Sequence, residues 1–266
     1  MIGSPIRHSL SPVLHNAALA DAGLDAVYLA FEPSREGLGQ FLATAWEIGI
    51  AGISVTMPFK TTVVAHTVSA AEEVTRLGSA NTLVRTDKGY HAMSTDGAGL
   101  LYALHTHFGV NLESLRCVVI GAGGAGGAAA LALDRAGAEV KVFARSRDAA
   151  LDVVARVGGH CRVGDVSDLE AADLVVNATP AGMEGTVQEG LMPIDPERMS
   201  MSTLYYDMIY APEITPLLAE HRARGGRGAS GRSMLAGQAA HAFAAWTNRP
   251  APFVVMDRAL DQALGH

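Results

Sequence analysis

Residues 115–133 read LRCVVIGAGGAGGAAALAL, and this stretch decides the architecture. LRCVVI (115–120) is an apolar strand without polar alternation, the pattern of a strand buried on both faces. It runs directly into a glycine-rich turn and an alanine-rich helix. Gly121, Gly123 and Gly126 hold the G-x-G-x-x-G spacing. In a chain with 29 glycines that spacing alone says little. The strand before it and the helix after it give it meaning. The first glycine makes the tight turn, and the second lets the backbone approach a pyrophosphate. The third brings helix and strand close, and the helix N-terminus offers free N–H groups to an anion. The competing reading is a tight strand–helix turn with no ligand.

Working outward, AEVKVFA (138–144), DLVVNAT (173–179) and TLYYDMI (203–209) are further apolar strands separated by helical stretches. Strands alternating with helices make parallel βαβ units. The strand ending at Ala144 is followed by Arg145, Ser146 and Arg147, with no carboxylate before Asp148. A carboxylate there would take a ribose 2′-hydroxyl. Two guanidiniums and a hydroxyl suit a 2′-phosphate, so the pattern favours NADP over NAD. The bland alternative is a solvated basic turn.

Towards the N-terminus, Ser11-Pro12 reads as a helix cap and first turn, opening a helix to Gly23. AVYLAFE (26–32) alternates like a strand, residues 35–49 return to helical spacing, and AGISVT (51–56) is a short strand. NTLVRT (81–86) and YHAMS (90–94) flank Asp87-Lys88-Gly89 as a hairpin, and a helix follows from Gly97 to His107. After a Gly/Arg-rich loop (224–232), helices over 235–246 and 254–265 close the chain. The result is an α/β protein of two domains.

Composition bounds the chemistry. The chain has 266 residues, 49% hydrophobic and 18% charged, enough for a large core. A net charge of −7 argues against non-specific binding to nucleic acid or anionic membranes. No apolar run reaches transmembrane length, and the N-terminus lacks a signal-peptide core. Cys117 and Cys161 form no framework, which suits a reducing cytoplasm. None of the ten histidines shows metal-ligand spacing, and His105-x-His107 reads as a surface pair at a helix end.

A nicotinamide enzyme also needs a proton donor or acceptor. Lys60, after Thr56-Met57-Pro58-Phe59, is expected in the first turn of a helix, where the dipole disfavours a cation. Its placement therefore points to function. Asp96, which ends the hairpin, is a further candidate or simply the cap of the next helix, and Asn81 another candidate or only a turn residue.

PIRHSLSP, VTMPFK, GSANTLV, STDG, GAGGAGG, NATPAG, YDMIYAPEITPLL and MLAGQAAHAFAAW occur in this order across the whole chain. Together they resemble the shikimate dehydrogenase family, which reduces 3-dehydroshikimate reversibly to shikimate with NADPH on the route to chorismate and the aromatic amino acids. The resemblance implies an α/β substrate domain over residues 1–97 and 236–266. A Rossmann-like NADP domain over 98–235 is inserted between them, and the C-terminal helices return to the first. It implies that Lys60 and Asp96 form the catalytic pair. Ser9 and Ser11 would bind the carboxylate, Thr56, Asn81 and Gln238 the ring hydroxyls, with Tyr210 nearby. On the cofactor side it implies Gly121, Gly123, Gly124, Ala125 and Gly126 for the diphosphate, and Arg145, Ser146 and Arg147 for the 2′-phosphate. Thr179, Met208, Gly231 and Met234 would flank the rest of NADP. The only partners implied are these small molecules, with the chain a cytoplasmic monomer or homodimer and no metal.

Three departures stand out. Ser94 replaces an asparagine common in the family, Ala144-Arg145-Ser146 replaces Asn-Arg-Thr, and Gly231-Arg232-Ser233-Met234 replaces Gly-Leu-Gly-Met. The last puts a large cation beside the nicotinamide region. Competing readings are a relative acting on quinate or aminoshikimate and a catalytically silent NADP-binding regulator. In the family a strand precedes the serine loop. Here only Met1-Ile2 stands before Gly3-Ser4-Pro5, so the expectation is a clipped strand, unpaired sheet edges and a loosened loop.

Overall fold

The computed structural model describes residues 1–7 and 9–265; His8, within the serine loop, lies outside the described residues. The chain divides into two compact units, Met1–Gly99 with Ala236–His266, and Leu100–Leu235.

The first unit opens with α1 (Ser11–Asp21), α2 (Leu38–Glu47) and β1 (Gly52–Ser54). A 3₁₀ turn (Thr62–His66), β2 (Ser69–Ala70), α3 (Glu72–Leu77), β3 (Thr82–Thr86) and β4 (Gly89–Met93) follow, up to the start of α4 (Asp96–Phe108). The sheet order is β1-β3-β4-β2, with β2 parallel to β4 and the other pairs antiparallel. Leu38, Leu42 and Ala45 recur at helical spacing on α2 and pack with Ile53, Val55, Phe59 and Leu83 into one core.

The second unit is built on β5 (Arg116–Ile120), α5 (Gly124–Arg135), β6 (Glu139–Phe143), α6 (Arg147–Val157), β7 (Arg162–Val163) and α7 (Val166–Ala171). It continues with β8 (Leu174–Asn177), β9 (Leu204–Asp207), α8 (Pro216–Ala223) and β10 (Arg227–Ala229). Its six strands are all parallel in the order β10-β9-β8-β5-β6-β7. The chain winds from β5 to β6 and β7 on one side, then returns to β8, β9 and β10 on the other. A sheet of this kind binds ligands at the carboxyl ends of its strands, where the winding reverses between β5 and β8. All four residues of β8 are buried, as a strand covered on both faces requires. The chain ends with α9 (Arg232–Thr247) and α10 (Phe253–Leu264), and α10 packs on α1. No helix among the described residues is long and apolar enough to cross a membrane.

Several local expectations are corrected. Met1–Gly3 is paired on both sides. Ile2 bridges Phe31 and Val55 in parallel, its N–H donates to Ser54 O (2.8 Å), and its carbonyl accepts from Thr56 N (3.0 Å). Phe31 N donates to Met1 O (2.9 Å), and Ile2 is fully buried. Three residues thus fill the gap in the sheet, and the serine loop hangs from a fixed stem. Residues 26–32 form no strand and make a single bridge, at Phe31, because their partner segment is only that short. Ser11 is the first helical residue and Leu10 the cap, so the Ser11 side chain caps nothing. Gly89 pairs with Thr86, leaving a two-residue turn of Asp87 and Lys88. The Gly/Arg-rich loop holds β10, which completes the parallel sheet beside β9.

Candidate active site

In the first unit, the end of β1 and the turn after it bring four polar side chains together. Val55 N donates to Asn81 O (2.7 Å), and Ala80 N donates to Lys60 O (2.8 Å). Lys60 is therefore laced to the segment entering β3. It lies in a turn before the 3₁₀ helix, and not in the first turn of an α-helix as expected. No helix dipole acts on Lys60 there, and what faces it is an acid. Lys60 Nζ donates to Asp96 Oδ2 at 2.6 Å, with the two side chains 23% and 12% exposed. A partly buried charge-assisted pair of this length is strong and directional.

Asp96 begins α4, and its other oxygen accepts from Asn81 Nδ2 (2.7 Å). Asn81 is buried and bracketed: Nδ2 also reaches Thr95 Oγ1 (3.0 Å) and Gln238 Oε1 (3.5 Å). Its Oδ1 accepts from Thr95 N and from Thr82 Oγ1, each at 2.8 Å. Asn81 is thus more than a turn residue. It holds the carboxylate that holds the lysine.

The serine loop is anchored nearby. Ser4 N donates to Met57 O (2.9 Å), Ile6 N to Glu32 Oε1 (2.9 Å), and Ser11 N to Ser9 Oγ (3.3 Å). Gly3 must be a glycine here, because a Cβ would overlap the Thr56 methyl. Thr56 and Ser9 are partly accessible and Ser11 is buried.

The second unit gathers the remaining sequence candidates at the carboxyl ends of its strands. Gly121 has φ +112°, and a Cβ there would lie 3.0 Å from the Thr179 methyl and 3.1 Å from Ala178 O. A Cβ on Gly126 would overlap the Gly121 carbonyl, so helix α5 approaches β5 only with glycine at that position. Around Gly123, the cap of α5, nothing lies within 4 Å of a Cβ position. The first and third glycines thus serve packing, and the second faces open space at a helix N-terminus. Gly124 and Ala125 form the first turn of that helix. Ser146 caps α6 by accepting from Ala149 N (3.2 Å), while Arg145 and Arg147 are exposed. Met208 and Gly231 are in close contact, since a Cβ on Gly231 would overlap Met208 O. Met234 is buried, and burial raises the pKa of Tyr210. Arg232, the large cation that replaces the family's leucine, pairs with Glu213 at 2.9 Å and its side chain is 14% exposed. His107 shares a hydrogen bond with Ser233 (3.0 Å). This set fits a phosphorylated dinucleotide: an open glycine turn, a helix N-terminus, and two exposed guanidiniums beyond the next strand.

Sequence reasoning passed over the groups behind both clusters. Thr82 and Thr95 steady Asn81, and Asp207, buried at the end of β9, was not singled out at all. The available signal was a carboxylate closing an otherwise apolar strand.

Comparison with known proteins agrees with this geometry. Residues 1–83 match the model of the shikimate dehydrogenase substrate binding domain, and residues 231–260 that of the shikimate 5′-dehydrogenase C-terminal domain. Residues 108–185 match a putative NAD(P)-binding model. The shikimate dehydrogenase (NADP(+)) of Moorella thermoacetica is 39% identical, covering 100% of this chain and 92% of that protein. The shikimate 5-dehydrogenase of Thermus thermophilus, solved with NADP(H) and shikimate, is 34% identical. It superposes with a TM-score of 0.91 over 98% of this chain and 97% of its own. The quinate dehydrogenase of Corynebacterium glutamicum, solved with NAD, is 29% identical with a TM-score of 0.87, covering 98% and 97%. With the lysine–aspartate pair, the glycine turn and relatives matched over nearly their full length, the chain belongs to the shikimate dehydrogenase family.

Proposed function

We propose that this protein is an NADP-dependent shikimate dehydrogenase, interconverting 3-dehydroshikimate and shikimate. The observation that carries the reading is the Lys60–Asp96 pair at 2.6 Å, with Asn81 fixing the second carboxylate oxygen. The substrate is assigned to the first unit and the dinucleotide to the second. NADP(H) supplies or takes up the hydride at the carbon that is a ketone in one acid and an alcohol in the other.

The protein's own residues handle the proton and the orientation. Lys60 gives a proton to the oxygen as the ketone is reduced, and takes it back in the oxidative direction. Asp96 holds the ammonium and orients the hydroxyl. Ser9 and Ser11 bind the carboxylate with hydroxyl donors, which lets an acidic protein hold an anion without a basic patch. Thr56 and Gln238 bind ring hydroxyls, with Tyr210 also near the substrate. Asn81 joins them by exchanging its longest contact, the 3.5 Å one to Gln238, for a substrate hydroxyl. On the cofactor side, Gly121 to Gly126 cradle the diphosphate, and Arg145, Ser146 and Arg147 take the 2′-phosphate. Thr179, Met208, Gly231 and Met234 flank the ribose and nicotinamide.

Every residue in this scheme comes from one chain, so a monomer or a homodimer suffices. Two buried, unpaired thiols, Cys117 and Cys161, suit the cytoplasm. The test is catalytic efficiency on shikimate and quinate, each with NADP and NAD. The expected order puts shikimate with NADP first. A quinate preference overturns the substrate assignment, and NADPH binding without turnover of either acid overturns the catalytic one.

A further inference from the structure

The second unit buries a carboxylate that no step above uses. Asp207 closes β9 and has no exposed surface. Four donors converge on it: Tyr205 Oη and Thr215 Oγ1 on Oδ2, both at 2.7 Å, and Ile209 N (3.0 Å) and Asn177 Nδ2 (3.1 Å) on Oδ1. Burial raises its pKa, and the four donors oppose that shift.

The bonds lead outward from there. Asn177, buried at the end of β8, stands directly opposite Asp207 in the ladder. Its Oδ1 accepts from Thr179 Oγ1 (2.7 Å) and Thr179 N (3.0 Å), and its backbone oxygen accepts from Met208 N (3.0 Å). The Thr179 methyl in turn packs over Gly121. On the other arm, Ile209 O accepts from Gly231 N (2.8 Å). The glycine turn, the turn after β8, the segment after β9 and the turn before α9 thus all trace back to one side chain.

Stability alone does not account for this arrangement. Burying a carboxylate is costly, and well-packed apolar groups in its place are often as stable or more so. The arms also end in loops rather than in the core. We propose that Asp207 is a positioning residue for the dinucleotide site, fixing the segments after β8 and β9 and the turn at Gly231 in their binding geometry. The proposal rests on the reading of the second unit as the NADP domain.

Asp207→Asn keeps the shape and the oxygen facing Asn177 and Ile209. It puts an amide donor where Tyr205 and Thr215 need an acceptor. In titrations of the cofactor-free full-length protein, the Kd for NADPH should rise ~10- to 100-fold, the scale of a lost charge-assisted bond. The KM for shikimate should move less than about threefold, since uniform damage would shift both. Amide exchange at Thr179, Ile209 and Gly231 should quicken in the cofactor-free variant. Thr215→Val removes one donor, should show the same pattern at smaller amplitude, and carries the test if Asp207→Asn does not fold. Wild type that fails to take up NADPH sinks the dinucleotide reading itself. Wild type that binds it, alongside a folded variant with unchanged Kd and unchanged exchange at those amides, overturns the role of Asp207 alone. A lower Tm without a change in Kd overturns it too.

Discussion

If Asp96 works through Lys60, the two residues must behave as one unit, and a double-mutant cycle tests this directly. Lys60→Ala removes the proton donor. General acid–base help is worth ~10²–10⁴-fold in turnover, so kcat should fall by that range, with the KM for shikimate held within a few-fold. Asp96→Asn keeps the shape but loses the charge, and its amide can accept from only one of the two donors, Lys60 Nζ (2.6 Å) or Asn81 Nδ2 (2.7 Å). A hydrogen bond to a charged group contributes about 1.5–3 kcal/mol, which corresponds to roughly 10- to 150-fold in rate. Independent action would multiply the losses in the double variant, to ~10³–10⁶-fold. Action through the lysine predicts that the double variant is no slower than Lys60→Ala alone. The assay is shikimate-dependent reduction of NADP, followed by nicotinamide absorbance at saturating cofactor. A Lys60→Ala enzyme with near-normal turnover refutes the assignment of the proton donor. A multiplicative double variant refutes action through the lysine and leaves Asp96 only its role on the substrate hydroxyl.

The other predictions are more local. His15 is buried, stacked on Tyr28 at 4.2 Å, and neither ring nitrogen has a hydrogen-bond partner among the described residues. Burial lowers its pKa to about 3, so below the ordinary value of 6.5 the unfolded chain binds a proton that the folded chain refuses. Stability should therefore fall as pH drops from 6.5 towards 3, by roughly 2 kcal/mol at pH 5. His15→Phe should remove its own share of that slope in denaturant titrations, leaving the same-signed parts from the Met1 amino group, which burial lowers to about 5, and from His221 and His241, whose pKa values burial also lowers. Gly126→Ala should cost about 1–3 kcal/mol of stability and abolish NADPH binding, because its Cβ meets the Gly121 carbonyl; a melt and a cofactor titration read both. Replacing Arg145 and Arg147 together with leucine should raise the KM for NADPH ~10- to 100-fold and leave that for NADH unchanged, as steady-state kinetics with each cofactor will show.

What could be read in the sequence depended on how local the determinant is. The glycine turn and the strands around it were legible, because an apolar run followed by a glycine pattern and a helix is a contiguous signal. Short strands were not. β7 and β10 have two and three residues, and their place in the sheet comes from partners far along the chain. The segment 26–32 alternates in sequence, yet its apolar residues Val27, Leu29 and Phe31 are exposed and only Tyr28 is buried, so the alternation marked no buried apolar face. Lys60 and Asp96 stand 36 residues apart, so their meeting was implied by family resemblance and not by spacing. Ser11 looked like a cap because Ser-Pro is the common signature, but the helix begins one residue earlier than that pattern suggests.

The departures from the family pattern near Gly231 show how a change of residue type can be absorbed. An arginine opening a sixteen-residue helix opposes the helix dipole, and its charge next to a nicotinamide would change the local field. Here Glu213 stands 2.9 Å from Arg232, in the same segment that Asp207 fixes through Ile209 and Thr215. The acid cancels the cation and offsets the dipole penalty at one point. Ser233, where the family has glycine, is engaged by His107 at 3.0 Å. The backbone contact that demands a glycine is at Gly231, against Met208 O, and that glycine is retained. The substitutions therefore fall on the two positions whose side chains find partners and spare the one where none fits. On that ground the charge at Arg232 and the bulk at Ser233 leave the Met208–Gly231 contact intact.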